Sequence, residues 1–178
     1  MSHDLFSSLD SFVAVSSASS VLLGRDVAGE YRPAGADEVL QAAQRVLAGR
    51  VHGTDVLTSP AVVKDFLRVR LGNLPHEIFA VVHLDAQHRV LDYVEMFRGT
   101  VSQTSVYPRE VVKDALSRNS SALLLVHNHP SGSTEPSRAD EHLTQTLKSA
   151  AALVDVRVLD HLIVAGDSVL SMAEKGLI

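Results

Sequence analysis

The sequence predicts a mixed α/β fold, a sheet covered by helices, and three observations carry that reading. Short β-rich runs and helix-periodic runs alternate from Glu77 to the end of the chain. The run Ala122–Val126 is apolar throughout, as a strand buried on both faces is. Turn residues punctuate the pattern at Asp85–His88, Gly99-Thr100, Pro130–Pro136 and Gly166-Asp167.

Taken in order, residues 1–35 are serine-rich and weakly periodic, which predicts an arm that is mostly irregular. Asp37–Leu47 places Val39, Leu40, Ala43, Val46 and Leu47 at helical spacing. Thr58-Ser59-Pro60 reads as a cap followed by proline in the first turn, opening a helix that ends at Gly72-Asn73. Ile78–Leu84 and Val90–Phe97, joined by a short turn, read as a β-hairpin. Pro108–Leu116 is helical, Ala122–His127 is the buried strand, and Arg138–Val154 is a long helix. Val156–Val164 gives one or two strands and Val169–Ser171 a last one. Residues 1–54 are therefore expected to form an arm with a short helical extension, and residues 55–178 the main domain.

Composition narrows the chemistry. The 178-residue chain contains no cysteine, which excludes disulfides, cysteine nucleophiles and thiolate metal sites. A net charge of −5 gives no support for a large non-specific nucleic-acid surface. No apolar run approaches the roughly 20 residues a membrane helix needs. No signal-peptide pattern opens the chain, and a cytoplasmic protein is the expectation. P-loop, Gly-x-Ser-x-Gly and dinucleotide patterns are absent from the sequence.

The end of the buried strand carries the chemistry. His127 and His129 are separated by a single residue, so in a strand both point to one face. A loop follows, then Ser137 opens a helix with Asp140 in its first turn. Each part has an ordinary explanation. A histidine near a strand end is commonly a hydrogen-bonded structural group, and Ser-x-x-Asp resembles a helix capping box. Together, two imidazoles and a carboxylate make a three-ligand nitrogen-and-oxygen set, and a catalytic zinc keeps its fourth position open. A general base must come from outside the set. Glu77, Glu95, Glu110 and Glu135 are candidates, and Glu77 stands at the mouth of the first long strand. His83 and His88 read as filler or surface groups, and His161 as either a core polar residue or a donor to a ligand. Ser105 and Arg109 read as a helix cap and a solvated side chain, or as substrate contacts.

His127-x-His129-Pro130 followed by Ser137-x-x-Asp140 resembles the JAMM (MPN+) metalloprotease signature. Gly99-Thr100, Ser105–Glu110, His127–Gly132, Pro136–Asp140 and Asp160-His161 are similar to the RadC family in particular. The resemblance covers roughly residues 55–178 and looks like the short form, without the helix-hairpin-helix region often found in that family. It implies a fold similar to cytidine deaminase and one zinc ion held by His127, His129 and Asp140. It also implies that Glu77 activates water and that Ser137 supports an oxyanion. The deaminase activity itself is disfavoured, because the His-x-Glu and Pro-Cys-x-x-Cys ligands of those enzymes are absent and the chain has no cysteine.

The leading expectation is a zinc-dependent hydrolase of the JAMM type acting on a peptide or isopeptide amide. The alternatives are a DNA repair or recombination factor or metal-dependent nuclease, after the family's historical association, and a non-catalytic interaction domain.

Overall fold

A computed structural model of the chain describes residues 13–15, 21–25, 29–51, 60–100 and 105–178. These form two compact units, residues 1–46 and residues 47–178.

In the first unit three short strands, β1 (Val13–Val15), β2 (Val21–Arg25) and β3 (Tyr31–Pro33), pair antiparallel in that order. These strands were not expected; the rest of the arm, residues 1–12, 16–20 and 26–28, lies outside the described residues. Val13-Ala14-Val15 and Val21-Leu22-Leu23 are β-prone but too short for periodicity to reveal. Helix α1 (Ala36–Val51) follows. Its Glu38 accepts two hydrogen bonds of 2.7 Å from Arg32 and one of 2.8 Å from the Gly35 amide. That carboxylate therefore satisfies a backbone donor near the helix start, where negative charge is favoured.

The second unit is a mixed five-stranded sheet with helices on both faces. Helix α2 (Pro60–Leu71) is followed by β4 (Ile78–Leu84), β5 (Val90–Arg98), α3 (Pro108–Ser117), β6 (Ala122–Asn128), α4 (Arg138–Ala152), β7 (Arg157–Ala165) and β8 (Ser168–Ser171). The order across the sheet is β5-β4-β6-β7-β8. Only the β6–β7 pair is parallel, and α4 is its crossover helix. The predicted cap Ser59 lies outside the described residues. Val156–Val164 resolves as the single strand β7. Helix α3 is preceded by Tyr107 without a side-chain cap, so Ser105 is not its cap; Pro108 at the first helical turn needs no donor partner there. Arg109 is exposed.

Alternation along β4 divides the core. Ile78, Ala80, Val82 and Leu84 pack with Val63, Phe66, Leu67 and Leu71 of α2. Phe79 and Val81 pack on the other face with Val111 and Ala115 of α3 and Leu147 and Ala151 of α4. Every residue of β4 is buried, and so are six of the seven in β6, which explains why both are apolar apart from His83, His127 and Asn128. No helix among the described residues is long and apolar enough to cross a membrane.

His83 shows what a polar group on this inner face requires. It is fully buried, with Nδ1 2.9 Å from Ser120 Oγ. Its Nε2 lies 2.9 Å from Asp114 Oδ2, off the line of a well-directed hydrogen bond. Arg118 ties Asp114 to Asp92 of β5. Burial lowers the His83 pKa below 6.5; the Asp114 charge opposes this and the Arg118 charge adds to it.

Two outcomes follow from this packing. A Cβ on Gly72 would meet the Gly166 carbonyl oxygen at 2.3 Å and that of Arg68 at 2.6 Å. Gly72→Ala is therefore expected to lower unfolding free energy by about 1–3 kcal/mol in urea titrations. A lowered histidine pKa contributes stability above the unfolded value, and that contribution is lost as pH falls below it. Unfolding free energy is thus expected to drop between about pH 7.5 and about pH 5.5, and the drop should be shallower in His83→Gln.

Candidate metal centre

Strand β6 and the N-terminus of α4 build the site. His127 lies in the last turns of the β6 ladder, paired with Phe79 of β4 and Ile163 of β7. His129 follows β6 and stays in register because its amide donates to the Val164 carbonyl at 2.8 Å. The shared face expected of the two histidines is observed, with ring centroids 4.7 Å apart. Gly132, at φ 83°, lets the loop turn back towards α4.

Ser137 and Asp140 form a full capping box. The Asp140 amide donates to Ser137 Oγ at 3.2 Å, while Asp140 Oδ2 accepts from the Ser137 amide at 2.8 Å and the Ser137 hydroxyl at 2.6 Å. Capping thus orients the carboxylate. Its Oδ1 stands 3.2 Å from His127 Nε2, and Oδ2 stands 3.6 Å from His129 Nε2. The two Nε2 atoms are 2.9 Å apart. These separations bracket the edge of about 3.3 Å that a tetrahedron with bonds of 2.0–2.1 Å requires. The donor set therefore fits a metal ion, and His127, His129 and Asp140 could hold one.

The outward atoms of the two imidazoles are taken. His129 Nδ1 donates to the Ser133 carbonyl at 2.8 Å. His127 Nδ1 is 2.8 Å from His161 Nε2, and His161 Nδ1 is 2.6 Å from Thr144 Oγ1. Thr144 donates to the Asp140 carbonyl oxygen at 2.6 Å. That last bond assigns the protons along the chain: Thr144 accepts from His161 Nδ1–H, and His161 Nε2 accepts from His127 Nδ1–H. Both Nε2 atoms are thereby left for the centre. His161 is fully buried, and burial lowers its pKa well below the ordinary value. It remains the neutral acceptor that this arrangement needs.

Electrostatics favour a cation at the centre. Burial raises the Asp140 pKa, but bonding to His127, His129 and Ser137 outweighs it and holds the carboxyl well below its usual range. The His129 pKa is raised, chiefly by its bond to Asp140, against burial and with help from the Glu77 charge.

A cleft of about 500 Å³ opens beside the cluster. Glu77, Ser137 and Glu135 line it together with His127, His129 and Asp140. The remaining carboxylate candidates lie elsewhere: Glu95 pairs with Arg70 at 2.8 Å, and Glu110 with Lys113 at 3.5 Å. Thr144 was invisible as a site residue in the sequence. Thr144 lies one helical turn beyond Asp140, and its only signal is that spacing.

His161→Ala is expected to weaken binding of added zinc by about 10–100-fold without abolishing it, as measured by competition with a chromophoric chelator. Thr144→Val should weaken it in the same direction by less.

A family model described as RadC-like JAB domain matches residues 57–177. A UPF0758 protein of Methylibium petroleiphilum is 61% identical over 140 residues, covering 79% of this chain and 63% of that protein. One from Leptothrix cholodnii is 59% identical over 140 residues, with the same coverage of 79% and 63%. One from Variovorax paradoxus is 52% identical over 162 residues, covering 91% of this chain and 72% of the relative. The chain thus spans less than two thirds of the length of the first two. With the JAMM pattern held in a mixed α/β domain and this match across most of its length, the chain belongs to the RadC family, and residues 57–177 are its RadC-like JAB domain.

Proposed function

We propose that this chain is a zinc-dependent hydrolase of the JAMM type that cleaves a peptide or isopeptide amide. The observation that carries the reading is the convergence of His127, His129 and Asp140, with Glu77 on the wall of the same cleft. Zinc, when bound, lowers the pKa of a water molecule and polarises the substrate carbonyl. Glu77 takes the proton from the attacking water on its carboxylate and returns it to the leaving amine. The Ser137 hydroxyl, now directed at Asp140 Oδ2, fixes that carboxylate and turns to the developing oxyanion as the carbonyl carbon becomes tetrahedral. Phe79, Val106 and Leu143 supply apolar walls that exclude water.

The charge of the cleft favours an amide over a phosphodiester. Its described lining contains Glu77, Glu135 and Asp140 and neither lysine nor arginine. A phosphate would meet three carboxylates there without a cationic side chain to offset them.

Metal analysis of purified variants tests the site. His127→Ala and Asp140→Ala are expected to lose stoichiometric zinc, whereas Glu77→Gln retains it. On a substrate found by screening peptides, isopeptides and nucleic acids, Glu77→Gln should lower kcat by about 10²–10⁴-fold. Stoichiometric zinc in His127→Ala and Asp140→Ala would remove the ligand assignment. Zinc-dependent cleavage of nucleic acid alone would favour the nuclease alternative.

A further inference from the structure

We infer that Asn128 is the positioning residue for Glu77, its buried carboxamide bracketing the Glu77 backbone and so fixing where the carboxylate meets the cleft. This rests on the reading of Glu77 as the base and explains how β6 places it.

Asn128 sits between the two histidines but cannot join them, because alternation along β6 turns it to the opposite face. It is 2% exposed, so its amide needs partners. Those partners are the two backbone groups on either side of Glu77. Asn128 Oδ1 accepts from the Ile78 amide at 2.7 Å, and Nδ2 donates to the His76 carbonyl at 3.0 Å. The reversed amide would set oxygen against the His76 carbonyl, so the bonding assigns the orientation.

The backbone ladder between β4 and β6 runs out at Phe79 and His127. One step further, the Asn128 side chain takes the place of the missing peptide group. On the other edge, the Glu77 amide donates to the Thr100 carbonyl at 2.8 Å, and the Gly99 amide donates to the Glu77 carbonyl at 2.9 Å. Four hydrogen bonds therefore hold the Glu77 backbone from both sides, although β4 begins only at Ile78. Without Asn128, the two bonds on the β6 side would be lost, on a segment that follows Pro75. The residue linking the two metal-facing histidines would thus also set the position of the base.

The test uses the whole chain loaded with cobalt(II), whose d–d absorption at fixed pH reports the groups around the metal. Asn128→Leu removes donor and acceptor at similar size. Asn128→Asp keeps the acceptor for Ile78 and loses the donor to His76. In Asn128→Leu, amide exchange at Ile78 should accelerate by roughly tenfold or more, and cobalt affinity should stay within about threefold. The spectrum should move to that of Glu77→Gln, and Asn128→Asp should move part of the way. A merely structural Asn128 would lower thermal stability and leave the spectrum unchanged. A wild-type spectrum in Asn128→Leu beside an altered one in Glu77→Gln overturns the inference alone. A wild-type spectrum in Glu77→Gln removes the base assignment and this inference with it. Should Asn128→Leu fail to fold, Asn128→Asp decides by the same comparison.

Discussion

The end of β6 must satisfy buried polar groups in a strand whose two faces are covered, and most of the site depends on how it does so. An unpaired polar group there would cost about 1–3 kcal/mol. Asn128 is satisfied by the backbone around Glu77, His127 Nδ1 by His161, and His129 Nδ1 by Ser133. Each of these bonds takes an atom that points away from the centre. What remains directed inward is the pair of Nε2 atoms, which meet Asp140. The requirement for burial thus selects the imidazole tautomers that suit a metal ion.

The same economy governs Asp140. Its carboxylate completes the capping box of α4, and its carbonyl accepts from Thr144, which continues the chain through His161 to His127. Cap, helix, strand and imidazole are therefore linked through one residue. A network of this kind fixes geometry more firmly than its separate bonds would, because moving one member leaves a buried partner unsatisfied.

What the sequence revealed follows from how local each feature is. His127 and His129 are two residues apart and Ser137 and Asp140 three, so strand alternation and capping rules suffice to read them. The strands and helices of the second unit, apart from the four-residue β8, are long enough for periodicity. The partnership of Asn128 with residues 76 and 78 spans about fifty positions and depends on antiparallel register, which pattern alone does not supply. His161 reaches His127 across the parallel β6–β7 pair, and His83 is buried because α3 folds over it. The strands of residues 13–33 escaped because three to five residues are too few to show a period.

Charge gives the proposed site its direction. An ionised Asp140 at the centre favours a cation, and a neutral His161 behind His127 does not oppose it. Beyond the centre, Glu77 and Glu135 keep the cleft acidic. A dication bound there would be offset by Asp140 and by the nearby carboxylates, leaving little net positive field for an anionic substrate. A neutral amide is not penalised by that balance, and its carbonyl oxygen acquires negative charge only as the carbon becomes tetrahedral. Interactions that strengthen at that stage lower the barrier, whereas those that merely hold the substrate do not. On the proposed reading, such a cleft would favour a substrate that is neutral in the ground state, and Glu77 would be of use there only with its carboxylate held in place before the substrate arrives.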